Sequence, residues 1–315
     1  MNKFNPIGIV MKLKKSAATT FLALCLNCLL FNHAFAMSSE TASCNQALEK
    51  GDVESALTIA SKALSKNKND KEILLCQGRG LAAKEDFNGA LTAFKLADQL
   101  TTDAGEKAIA SFLMGRTYNS NKQFEPAIAS YQQAASHAKA AKNSAYERAS
   151  YNAIGNVHAE NKQYQQALAQ YSLGSKLAAN DNERGESYEK IALTYHNMNQ
   201  HDAALEYQIK AYLMHDTAGT LDQYAHSGIE LGRYYALTKN YASAENTLNK
   251  IIKFAKEQGG AYYEAKGSCV LATVKIARGE KEAAKALIEY SKSIAKNTHD
   301  SALEAEIDQE TKGLI

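Results

Sequence analysis

The 315-residue sequence has no tryptophan and only two prolines, Pro6 and Pro126. With so little proline to remove backbone donors, helices can follow one another with few interruptions. Net charge is also nearly absent, since 36 basic and 34 acidic side chains leave +2. That balance gives no electrostatic case for nucleic-acid binding, which normally wants a strongly basic face. Beyond residue 36 nothing approaches the roughly 18 continuous apolar residues of a membrane span, so the remainder of the chain is not expected to cross a membrane. Motifs that carry local chemistry are missing too. His137, His158, His196, His201, His215, His226 and His299 have no partners at the spacing of zinc ligands. There is no Gly-rich phosphate loop, no nucleophile elbow and no paired-carboxylate motif. The sequence therefore reads as non-enzymatic, with neither metal nor cofactor expected.

The N-terminus does carry a signal. Lys12, Lys14 and Lys15 precede an uncharged, mostly apolar stretch from Ala17 to Phe31, and Ala34-Phe35-Ala36 supplies small residues for cleavage. This order predicts a signal peptide over residues 1–36, cut after Ala36, and hence an exported, most simply periplasmic, protein. Removing Lys3, Lys12, Lys14 and Lys15 takes the formal charge from +2 to −2. Five cysteines fall to three, Cys44, Cys76 and Cys269, in a compartment where disulfides persist.

The rest of the chain is periodic. Alanine recurs at Ala56, Ala90, Ala127, Ala167, Ala204, Ala244 and Ala284, at intervals of 34 to 40 residues. Twelve residues before each stands a small side chain: Cys44, Gly78, Gly115, Gly155, Ala192, Gly232 and Ala272. Apolar or aromatic residues flank most of the alanines three before (Val53, Phe87, Phe124, Tyr164, Tyr241) and four after (Phe94, Tyr131, Tyr171, Leu248, Ile288). The pattern predicts helical hairpins in which the small residue of a first helix lets the second approach closely, and the flanking residues fill the seam. Short polar turns such as Lys84-Glu85-Asp86 and Asn161-Lys162-Gln163 separate the two helices. Seven units follow, at about 38–69, 70–104, 107–143, 147–182, 184–216, 222–258 and 262–296. Ser301 to Asp308, with Leu303 and Ile307 four apart, suits a capping helix over 300–312.

Small-x-x-Tyr, a turn, aromatic-x-x-Ala and a further aromatic resembles the tetratricopeptide repeat. Gly115 with Tyr118, Phe124, Ala127, Tyr131 and Ala134 carries the resemblance best. Asn152 to Asn156 and Tyr164 to Leu168 are similar to the longer-repeat branch of kinesin light chains. The repeats lack the closing proline of the family, and the first and seventh lack its aromatics. The resemblance spans about residues 38–292. It implies an all-α, right-handed superhelical solenoid whose concave groove holds a segment of another protein.

On the first helix of each unit, the residues one after, four after and three before the small residue face the inner wall. They include Arg79, Phe112, Arg116, Asn119, Asn152, Asn156 and Arg233. Asparagine can pin both polar groups of a peptide backbone, the role that the resemblance carries to Asn152 and Asn156. Arginine forks onto carboxylates, which favours an acidic or C-terminal partner segment, and Phe112 would supply an apolar anchor. Template tyrosines read as core. Cys44 and Cys76 lie on neighbouring first helices and could be bridged, closing a loop worth roughly 3 kcal/mol; otherwise each is a small buried hydrophobe. A groove adaptor is the reading this favours. A structural subunit of a secretion, pilus or other envelope assembly and a receptor for a peptide signal are the alternatives.

Overall fold

The computed structural model describes residues 38–314, so the signal-peptide expectation lies outside the described residues. They form fifteen helices in seven hairpins plus a last helix: α1 (Ser39–Glu49) with α2 (Val53–Lys66), α3 (Lys71–Ala83) with α4 (Phe87–Gln99), and α5 (Ala104–Ser120) with α6 (Phe124–Ala140). There follow α7 (Ser144–Glu160) with α8 (Tyr164–Lys176), α9 (Asp181–Asn197) with α10 (His201–Ala218), and α11 (Leu221–Leu237) with α12 (Tyr241–Glu257). The seventh pair is α13 (Ala261–Ala277) with α14 (Lys281–Asn297), and α15 (Ser301–Thr311) closes the array. The fold is an all-α repeat solenoid, each hairpin resting on the next.

Local chemistry explains the segmentation. Asp52, Asp70, Asp86, Asp103, Asn143, Asn180 and Asn240 each accept a backbone N–H at a helix start, satisfying a donor that the helix leaves free. The turn inside every hairpin places one residue in the left-handed region: Gly51, Glu85, Lys122, Lys162, Asn199, Lys239 and Gly279. Five of the seven are not glycine, so these turns carry a small conformational strain. Pro126 sits in the first turn of α6, where its missing N–H has no intrahelical partner to lose.

The repeating alanines are the seam. All seven are at most 1% exposed. The small residue opposite is needed for the same contact. A Cβ added at Gly78, Gly115 or Gly155 would lie 2.4 to 2.6 Å from a ring atom of Phe94, Tyr131 or Tyr171, and one at Gly232 would lie 2.5 Å from Leu248. In the fifth hairpin Gln208 takes that ring's place. It is buried, with Nε2 donating to both the carbonyl and the hydroxyl of Ser227 at 2.9 Å. Two turns further on, buried His215 faces α9, its Nδ1 2.9 Å from Asn182 Oδ1 and its Nε2 3.5 Å from Glu189 Oε1. Gln208 thus ties this hairpin to the next through polar bonds, while Tyr207 packs between Tyr188 and Tyr195 inside the hairpin.

Cys44 and Cys76 are joined, with Cα atoms 6.3 Å apart, and the bond ties α1 to α3. Cys269 is a buried thiol whose pKa burial pushes up to about 12, which removes it from thiolate chemistry. No helix among the described residues is long and apolar enough to cross a membrane.

Candidate protein-binding groove

Odd-numbered helices touch across hairpins: α1 meets α3, α3 meets α5, α5 meets α7, α11 meets α13, and α13 meets α15. Among the described residues no two even-numbered helices make comparable contact. A two-layer array with one layer drawn closer must curve towards that layer, so the odd helices line the inner face.

Along this face the residue following each small one is half-exposed or exposed throughout: Asn45, Arg79, Arg116, Asn156, Leu193, Arg233 and Thr273. The residue four after is half-buried in every hairpin, Asn119 and His196 among them. These two columns form the accessible wall. The third expected column does not. Phe112 is 8% exposed, with its ring 5.3 Å from Tyr131 and 5.9 Å from Tyr146, so it is a core residue and not a free anchor. Ile229, Cys269 and Thr41 at the equivalent places are buried as well. Asn152 is also 8% exposed and lies over Gly174, where an added Cβ would be 2.4 Å from its Oδ1. It is therefore withdrawn from backbone-pinning duty. Neighbouring helices cover both: Phe112 packs on Tyr131 of α6 and Tyr146 of α7, and Asn152 lies against Gly174 of α8 in its own hairpin.

Two arginines mark the open N-terminal half. Arg79 donates to Asn45 Oδ1 at 3.0 Å. Burial lowers the Arg79 pKa, and the neighbouring positive charge of Arg116 lowers it further. Among the described residues Arg116 makes no hydrogen bond or ion pair; its charge is felt by Arg79, Tyr131 and Tyr146. Two guanidinium groups thus stand near each other with no ion pair to either among the described residues, and Glu49 is the one carboxylate whose charge offsets their repulsion at Arg79. Next along the wall, Asn156 accepts a hydrogen bond from the Tyr171 hydroxyl at 2.8 Å. Holding the amide oxygen this way leaves the amide nitrogen as a donor for a visiting carbonyl. Asn119 Oδ1 is buried and has no hydrogen-bond partner among the described residues. Leu193 follows as an apolar place, 52% exposed.

The third arginine of the column is engaged. Arg233 reaches Glu310 of α15 at 2.5 Å and Glu230 at 3.3 Å. Burial works against its charge, but these two carboxylates outweigh burial and raise its pKa. His196 and His201 pack with their rings 5.4 Å apart, and His196 lies the same distance from Tyr234; they fill a seam. Sequence reasoning missed Gln208, His215, Tyr146 and Glu310. Gln208 was signalled by a polar residue at a template core position, whereas Glu310 lies outside the repeats and had no such signal.

Comparison with known proteins agrees with this geometry. The tetratricopeptide repeat family model matches residues 108–138 and 185–214, which fall in the third and fifth hairpins. No curated protein matches the sequence. Among solved structures, the apo form of RapI is similar with a TM-score of 0.68 at 14% identity, covering 87% of this chain and 84% of that one. Aspartyl phosphate phosphatase F from Bacillus subtilis is similar at 0.58 and 16% identity, over 86% of this chain and 80% of its own. Kinesin-light-chain TPR-like repeats from Podosopora anserina reach 0.53 at 19% identity, over 60% of this chain and 95% of theirs. The chain thus carries tetratricopeptide repeats in its third and fifth hairpins within an all-α repeat solenoid like these structures, and at these identities the likeness is one of fold.

Proposed function

We propose that this protein is an exported, non-enzymatic adaptor that holds a segment of another protein along the inner wall of its solenoid. The observation that carries the reading is the pair Arg79 and Arg116 on the open wall, with Arg116 close enough for its charge to act on Arg79 and neither held in an ion pair among the described residues. Placing like charges together in a partly desolvated wall costs free energy unless an anion completes the site. An acidic or C-terminal segment supplies that anion. Asn156, its oxygen already occupied, would donate to the segment's backbone, and Leu193 would receive an apolar side chain. Ordering a flexible segment on such a wall implies modest, about micromolar, affinity. The periplasmic assignment rests on residues 12–36 alone, and the likeness to a phosphatase is a likeness of fold.

The test is a pull-down from envelope extract with residues 37–315 immobilised, beside an Arg116→Ala/Asn156→Ala variant of equal helicity by circular dichroism. A partner captured by wild type and lost by the variant supports the groove. A partner held equally by both moves the contact to the outer surface and favours a structural subunit.

A further inference from the structure

The last helix turns two acids onto the basic wall. Glu306 and Glu310 stand one helical turn apart on α15. Glu310 pairs with Arg233 of α11 at 2.5 Å and with Lys266 of α13 at 3.2 Å. Glu306 pairs with Lys266 at 3.3 Å and accepts from the Tyr262 hydroxyl at 3.1 Å. Burial raises the Glu310 pKa, but Arg233 and Lys266 outweigh burial and hold it below the usual carboxylate range, so it is charged. Apolar contacts anchor the helix as well. Leu303 and Ile307 are 1% and 0% exposed, packed with Ala265, Cys269 and Ala295. A cap that only shielded the last hairpin would turn its polar side to solvent; here part of that side faces the groove.

We propose that α15 is an intramolecular occupant of the C-terminal end of the groove. Its two carboxylates take the place on Arg233 and Lys266 that an acidic segment of a partner would otherwise take. The proposal rests on the groove reading above and adds a direction to it. Arg233, Lys266, Glu230, Glu306 and Glu310 sum to two positive and three negative charges, which repels a second acidic group. Arg79, Arg116 and Glu49 sum to two positive charges and one negative. The acidic end of a bound segment is therefore confined to the second and third hairpins, and the segment lies along the wall one way round. Electrostatic exclusion of the wrong register gives specificity without adding contact area.

The probe is a synthetic hexaglutamate peptide, titrated by calorimetry at low salt against residues 37–315. In Glu306→Gln/Glu310→Gln the C-terminal cluster changes from one net negative to one net positive charge. The expected result is a second binding event, or overall binding about fivefold tighter or more, that disappears when Arg233→Ala is added. Glu310→Gln alone keeps the Glu306 pairs, so it reports on the same seat if the double variant loses helix by circular dichroism. Wild type that binds, with no gain in either charge variant, overturns the proposal and leaves the groove reading standing. Wild type that fails to bind while the double variant binds supports this proposal and removes the Arg79/Arg116 seat. No binding by any form overturns both.

Discussion

The two ends of the inner wall carry the same residue type at the same template position and treat it in opposite ways. At the N-terminal end Arg79 and Arg116 face each other with only an asparagine between α1 and α3 to hold one of them. At the C-terminal end Arg233 lies between two carboxylates, one of them delivered by α15. The fastening of the ends differs as well: a disulfide ties α1 to α3, whereas apolar burial and ion pairs hold α15. The repeat decides where a side chain stands. What the next segment of chain brings to it decides whether that side chain is free to work.

The sharpest way to break this comparison is to cut the covalent fastening. Cys44→Ser/Cys76→Ser should lower stability by about 3–4 kcal/mol in the chain-entropy model, read by urea denaturation, and reduction of wild type should reproduce the loss. Next in size is an exchange of arginine for an apolar residue at each end. Arg233→Met leaves Glu310 with Lys266 alone and removes the ion pair of Glu230. Removing one partner of a buried pair costs about 3–5 kcal/mol when nothing remains, so about 2–3 is expected here. Arg116→Met relieves Arg79 and should change stability by about 0.5 kcal/mol or less, in the stabilising direction. Equal losses at both ends would remove the distinction between a filled and an open site.

Acid should separate the ends further. Glu310 has its folded pKa below its unfolded one, so its contribution is fully present above the ordinary glutamate value near 4.3. It is lost as pH falls through the lower folded value. Hydrogen exchange of α15 should therefore accelerate relative to α3 below about pH 4, and Arg233→Met should weaken that dependence. A further effect is expected at Tyr171. Tyr171→Phe removes the hydrogen bond to Asn156 for about 1 kcal/mol, read as a lower Tm. It should also weaken partner capture if the amide must be held with its nitrogen outward.

Much of this was legible from one template. The seven alanines, the small residues opposite and the hairpin turns recur in the sequence because each hairpin repeats the same close approach, and short-range spacing encodes it. Phe112 and Asn152 were placed on the wall by the same arithmetic, and on angle alone they belong there. They are buried because other helices cover them, Tyr146 of the next hairpin over Phe112 and Gly174 of α8 against Asn152, which depends on tertiary packing. Gln208 breaks the aromatic pattern at a core position, and only the structure reveals Ser227 as its partner on the next hairpin.

The amino-acid order by itself determined that this chain folds as repeated helical hairpins, where each seam lies and which columns can face inward, because those follow from helix periodicity and side-chain size within about forty residues. The tertiary structure alone decided which inward residues remain open. Arg233 meets Glu310 across 77 positions and Lys266 meets Glu310 across 44, distances over which no local pattern operates. Only the curvature of the solenoid brings the acids of its last helix onto its inner wall.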